Sequence, residues 1–251
     1  MRYLLLYATI LPILITVNLK HKANVNKQVP SEKKVLEISP PAGYYRVTMG
    51  NDTFGAWLRQ VNLKKDKTVK LFNGSPKRNQ FAQYAVLDIP VGDKDLQQCA
   101  DAIMRLRAEY LYSKGQFNGI LFYDNLGRPY QFQAPHSRLK LEKYLEKVFS
   151  RCGTLSLEKQ LKHILDYNDI HAGDVFIHGG SPGHAVIVMD VAANAKGEKV
   201  FLLAQSYMPA QDIHILKNPV VLEISPWFTL QTDGKLQTPE WEFSYKERKT
   251  W

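Results

Sequence analysis

Cysteine is scarce in this chain: its 251 residues hold two, Cys99 and Cys152. Two cysteines cannot form a disulfide framework, and a chain of this length does not need one to hold its core. They are also too few for a zinc site built on cysteine. A P-loop, a dinucleotide fingerprint and a G-x-S-x-G elbow are all missing, which removes the commonest nucleotide-dependent and serine-hydrolase readings. Dense Lys/Arg blocks and nucleic-acid-reading motifs are missing too, so no nucleic-acid partner is expected despite a net charge of +9. Nothing calls for a cofactor. His171, His178, His184 and Asp190 carry no ligand spacing, so no metal is expected.

Aromatic and aliphatic residues are plentiful. Hydrophobic residues make up 45% of the chain, with 13 Tyr, 11 Phe and 4 Trp, enough for a sizeable core. The basic charge suits anionic surroundings such as phospholipid head groups or acidic cell-wall polymers. Residues 3–19, "YLLLYATILPILITVNL", carry no charge and follow Met1-Arg2. They read as a secretory signal or an N-terminal membrane anchor, and residues 1–22 are set apart from the fold on that ground. Residues 23–40, polar and Lys-rich with Pro30 and Pro40 and followed by Pro41, read as a linker. Residues 41–251 read as one domain.

Within that domain, "DKDLQQCADAIMRLRAEYLY" (93–112) has the clearest helical periodicity, with Asp93 or Asp95 as its cap. "GILFYDNLGRPYQF" reads as a hairpin, "LEKYLEKVFSRCG" as a helix capped by Gly153, and "SLEKQLKHIL" as another. "AVLDIPVG", "KVFLLAQSY" and "VVLEI" read as strands. Helices lie mainly before the last group of strands. That order predicts α+β, with an antiparallel sheet packed against helices.

The chemistry centres on "GDVFIHGGSPGHAVIVMD" (173–190). His184 opens an apolar strand just after a Gly-rich turn. Cys99 lies near a helix start, whose partial positive charge favours a thiolate; it also fits the helix's apolar stripe as a plain core residue. Asp190 is about 20 Å along the strand from His184 and cannot orient it. The next strand returns "AQSY" beside His184. Either Gln205 or Ser206 can bond the imidazole there, with Gln205 preferred. Gln97 and Gln98, beside the nucleophile, are candidate oxyanion donors. Arg105 reads as part of an Asp101–Arg105–Glu109 ion-pair ladder, or as a substrate-carboxylate ligand if that face borders a cleft. Three glycines around Ser181-Pro182, with Gly183 next to the histidine, predict a loop forming one wall of a cleft with His184 exposed at its floor.

A cysteine on a helix, then Gly173-Asp174, then Gly183-His184 with an apolar strand, then a polar residue on the next strand, resembles papain-like cysteine peptidases. Cell-wall amidases and endopeptidases of the NlpC/P60 and CHAP type are the most similar. The resemblance implies Cys99 as nucleophile, His184 as base, Gln205 as the third residue and a papain-like core, and it extends over residues 95–210. "QQCADA" differs from the small polar stretch usual around that nucleophile. Over nearly all of residues 40–251, the phrases "LQQCADAIMRLRAEYLY", "GHAVIVMDVA", "LLAQSYMPAQDIHIL" and "TPEWEF" resemble a family of exported bacterial proteins carried as a domain of unknown function. The expected function is an envelope-located cysteine hydrolase of amide or peptide bonds, with peptidoglycan peptides as substrate. The alternative is a non-catalytic envelope protein that binds a peptide or glycan on the same scaffold.

Overall fold

The computed structural model of the chain describes residues 33–164, 166, 169–231 and 233–251. The apolar segment 3–19 lies outside the described residues. No helix among those described is long and apolar enough to cross a membrane. The domain begins earlier than the sequence suggests. Val35 and Ile38 are fully buried in the main core, and Lys34 bridges to Asn62, so residues 33–40 belong to the fold and not to a linker.

In chain order the elements are β1 (Tyr45–Arg46), α1 (Phe54–Arg59), β2 (Gln83–Val86), α2 (Cys99–Ser113), β3 (Leu121–Tyr123) and β4 (Pro129–Gln131). Then come α3 (Arg138–Phe149), α4 (Thr154–Gln160), β5 (Lys162–His163), β6 (Val175–His178), β7 (His184–Ala193) and β8 (Lys199–Gln205). The chain closes with β9 (His214–Leu216), β10 (Trp227–Thr229), β11 (Lys235–Gln237), β12 (Glu242–Ser244) and β13 (Arg248–Thr250). The main sheet runs β2-β9-β8-β7-β6-β13-β5, with β1 on β7 and β10 on β8. Every pairing in it is antiparallel. The fold class is therefore α+β, as the order of elements predicts.

Alternation along β7 divides two cores. Ala185, Ile187 and Met189 join the core under α1, α2 and α3; Val186 and Val188 join a second core with Phe201, Leu236 and Phe243, covered by the β11–β12 hairpin. A bulge between Val188 and Asp190 then shifts the alternation, so that Val191 joins the second core and Ala192 the first. Asp190 thus leaves the face of His184. It is fully buried and bound by Arg46 and Arg59.

Other expectations need correction. Residues 222–224 form a 3-10 turn, not a strand. α3 ends at Phe149, and Gly153 serves as N-cap of α4, giving its N–H to Ser156 Oγ at 3.0 Å. β13, which reads as a charged tail, is inserted between β6 and β5.

Candidate active site

α2 is buried on nearly every side, with Ala100, Ala102, Ile103, Met104, Leu106 and Ala108 in the main core, and so it lies beneath the sheet as a central helix. It stops at Lys114, followed by Gly115 at φ +66°. Its start is later than the periodicity suggests. Asp95 does not cap it, because Asp95 Oδ1 accepts the Ala210 N–H at 2.6 Å and Gln98 Nε2 at 3.1 Å. The N-cap is Gln98, whose N–H goes to Asp101 Oδ2 at 3.0 Å. Cys99 is therefore the first helical residue, closer to the positive end of the helix than either predicted cap would place it.

Cys99 lies against the start of β7, where the backbone N–H of Ala185, with that of Ala100, favours a charge on its sulfur. The sulfur thus sits at the first peptide of β7, one residue from His184. Burial nevertheless pushes the Cys99 thiol up to about 11, and the Asp101 carboxyl adds to the rise. Asp101 is itself held well above the usual carboxylate range by burial. Cys152 is also free, borders the same cavity, and is pushed up to about 12 by burial and by Asp101.

His184 is 1% exposed, enclosed by Tyr207, Trp241 and Phe243 at ring distances of 4.8, 5.5 and 5.8 Å. Its predicted exposure at a cleft floor is not observed. The cleft itself is present: a cavity of about 260 Å³ is walled on one side by Gly180 to Gly183 and on the other by Asp95, Gln98 and Cys99. The aromatic lid over the imidazole comes from "TPEWEF" and Tyr207, which the strand pattern alone did not aim at the histidine.

A directional hydrogen-bond chain fixes the imidazole. His184 Nε2 lies 2.8 Å from Gln205 Oε1. The Gln205 Nε2 gives one proton to Glu240 Oε2 at 2.6 Å, and a carboxylate oxygen only accepts. Its second proton points to His214 Nε2 at 3.4 Å, while His214 Nδ1 donates to the Asp212 carbonyl at 2.9 Å. The amide oxygen of Gln205 must therefore face His184, and His184 must carry its proton on Nε2. Nδ1 keeps a bare lone pair. Burial pulls both His184 and His214 down to about 4, so each is neutral at neutral pH. Glu240 also takes Lys77 Nζ at 2.6 Å.

The choice between Gln205 and Ser206 is thus resolved geometrically. Ser206 is fully buried, and its hydroxyl lies 2.9 Å from the carbonyls of both Gln97 and Gln211. It ties the segment before Cys99 to the end of β8. The register that brings Gln205 round is not the simple one: Ala193 pairs with Lys199, and the bulge at Asp190 absorbs a residue before Ile187 meets Ala204. Gln98 Nε2 is spent on Asp95, whereas Gln97 is buried with its Nε2 unbonded and its Oε1 accepting from Arg105 Nη1 at 3.3 Å. His171 pairs with Asp169, and His178 with Glu247. No group of metal-ligating side chains occurs among the described residues.

Gly183 is constrained by space. A Cβ there would lie 2.5 Å from the Gly180 carbonyl, 2.5 Å from Thr154 Oγ1 and 2.9 Å from the His178 carbonyl. Gly183→Val therefore cannot be nearly neutral. It should destabilise the fold by about 1–3 kcal/mol, read as a lower midpoint in urea. An unchanged midpoint would show that the loop relaxes freely.

A family model described as a domain of unknown function (4846) matches residues 35–136 and 129–249. No curated protein and no solved structure matches the chain. With most of its length covered in this way, the chain belongs to the domain of unknown function 4846 family.

Proposed function

We propose that this protein is a cysteine hydrolase of amide or peptide bonds, built on a papain-like arrangement. The observation that carries the proposal is the polarity of the Asp212–His214–Gln205–His184 chain, which leaves Nδ1 of His184 as a bare base at the strand opening where the Cys99 sulfur is held. In the resting state the thiol and the imidazole are both neutral. As Sγ bonds to the substrate carbonyl carbon, its proton moves to Nδ1. The imidazolium then protonates the leaving amine as the C–N bond breaks. Water, deprotonated by the same nitrogen, cleaves the thioester and returns the thiol. Gln205 holds the tautomer throughout, and the orphan N–H groups at the start of α2, with the unbonded Nε2 of Gln97, serve the oxyanion.

The envelope setting rests on the uncharged segment 3–19 and on the sequence likeness to exported bacterial proteins. Peptidoglycan peptides follow as substrate by analogy. Incubation with a peptidoglycan digest should release new amino groups, and both Cys99→Ala and His184→Ala should reduce that release at least about a hundredfold. Equal release by the variants would sink the proposal. A second reading, a binding protein on the same scaffold, draws support from the 1% exposure of His184. It expects the digest to bind with no release of amines by any form.

A further inference from the structure

Three depressions adjoin one another along α2. The cavity at Cys99 shares Leu96 and Phe149 with a second, of about 210 Å³. The second shares Pro90 and Arg105 with a third, of about 280 Å³. Arg105 therefore borders both of the farther depressions, although it is only 7% exposed. Its Nε donates to Glu109 Oε1 at 2.6 Å and its Nη1 to Gln97 Oε1 at 3.3 Å. Among the described residues, its Nη2 has no acceptor. Arg138, half-exposed at the rim of the third depression, gives both terminal nitrogens to the same Glu109 carboxylate. Two guanidinium groups thus share one carboxylate.

A nearly buried guanidinium whose one unbonded nitrogen opens to solvent in a depression can take an anion there. Lys94 and Glu146 pair across the second depression, and Arg138 also reaches Glu142, so the other charges nearby are largely matched. Exposed Asp88 on the rim of the third depression disfavours large polyanions there. The acceptor that fits is a single planar carboxylate. Gln97 connects this point to the nucleophile, since it bonds Arg105 through its side chain and precedes Cys99 by two residues.

We infer that the depression at Arg105 is a carboxylate subsite, and that the amide processed at Cys99 belongs to a substrate carrying a free carboxylate group. The second half rests on the hydrolase proposal; the first does not. The test uses the full chain with Cys99→Ala, so that no turnover intervenes. Glutarate, its neutral diamide and inorganic phosphate are titrated while the side-chain Nε–H resonance of Arg105 is followed. Glutarate should bind and shift that resonance, the diamide should not, and phosphate should bind more weakly. Arg105→Lys, which keeps a cation for Glu109, should weaken glutarate about tenfold. Arg138→Gln, at the exposed rim, should weaken it by a smaller factor without unfolding the chain. Absent glutarate binding, binding unchanged in Arg105→Lys, or tighter phosphate binding each overturns the carboxylate assignment. Glutarate binding in a protein that releases no amines would leave the subsite standing and remove the hydrolase.

Discussion

Iodoacetamide should alkylate Cys99 slowly at pH 7, and the rate should climb about tenfold per pH unit between pH 6 and 9. The cause is the burial that lifts the thiol to about 11. Only the thiolate attacks, so at pH 7 roughly one thiol in ten thousand is ready, some hundredfold fewer than for an ordinary cysteine. The folded-state value lies above the ordinary one of 9.0, so the thiol's contribution to stability is complete below pH 9 and is lost as pH rises through 11. The slope is therefore best read below pH 9, with peptide mapping to separate Cys99 from Cys152. His184, pulled down to about 4, is already neutral over this whole range, so no acid limb should appear near pH 6.5. A rate that levels off by pH 8 would mean a preformed thiolate–imidazolium pair and would remove the neutral resting state from the mechanism.

The sequence carried the fold class because helical and strand periodicities separate cleanly here. Ile103 and Leu106 repeat at helical spacing, while β7 holds the apolar run 185–189 just after a Gly-rich turn. The meeting of His184 with Gln205 was legible because a strand start and its return strand bring one polar residue each to the same end of the sheet, and Cys99's place near a helix start was legible from the periodicity that follows it. The details failed where a tertiary contact outcompeted a local rule. Asp95 looks like a helix cap until Ala210, far along the chain, claims its carboxylate. Val35 and Ile38 look like linker residues because two apolar side chains in a Lys-rich stretch show no period. The bulge that re-aims Asp190 leaves no composition signal, since the residues on both sides of it are equally apolar. Glu240 was out of reach for a related reason. It lies in a short turn between β11 and β12, and only the folding of that hairpin over the second core brings it to Gln205.

Replacing Glu240 by Gln should lower stability by about 3 kcal/mol, or roughly 10 °C in Tm for a chain of this size. Glu240 is the shared acceptor of Lys77 and Gln205, each at 2.6 Å, and Lys77 is 9% exposed. Burial already pulls Lys77 down, and the Glu240 carboxylate is what opposes that pull. Without the negative charge, Lys77 is left as a buried cation with no counter-charge. A second effect separates positioning from packing. In the native chain, nitrogen NMR should find the His184 proton on Nε2 and a bare Nδ1. In Glu240→Gln the Gln205 amide faces a group that can donate as well as accept, so it can turn over, and a share of His184 should move its proton to Nδ1. The pair Lys77→Met with Glu240→Leu removes both charges, and it should recover much of the stability without restoring the tautomer. Glu240 is then a positioning residue, acting on His184 through Gln205. If the native ring carries its proton on Nδ1, or if the apolar pair restores the tautomer along with the stability, Glu240 serves the core alone and the chain of donors does not set the base.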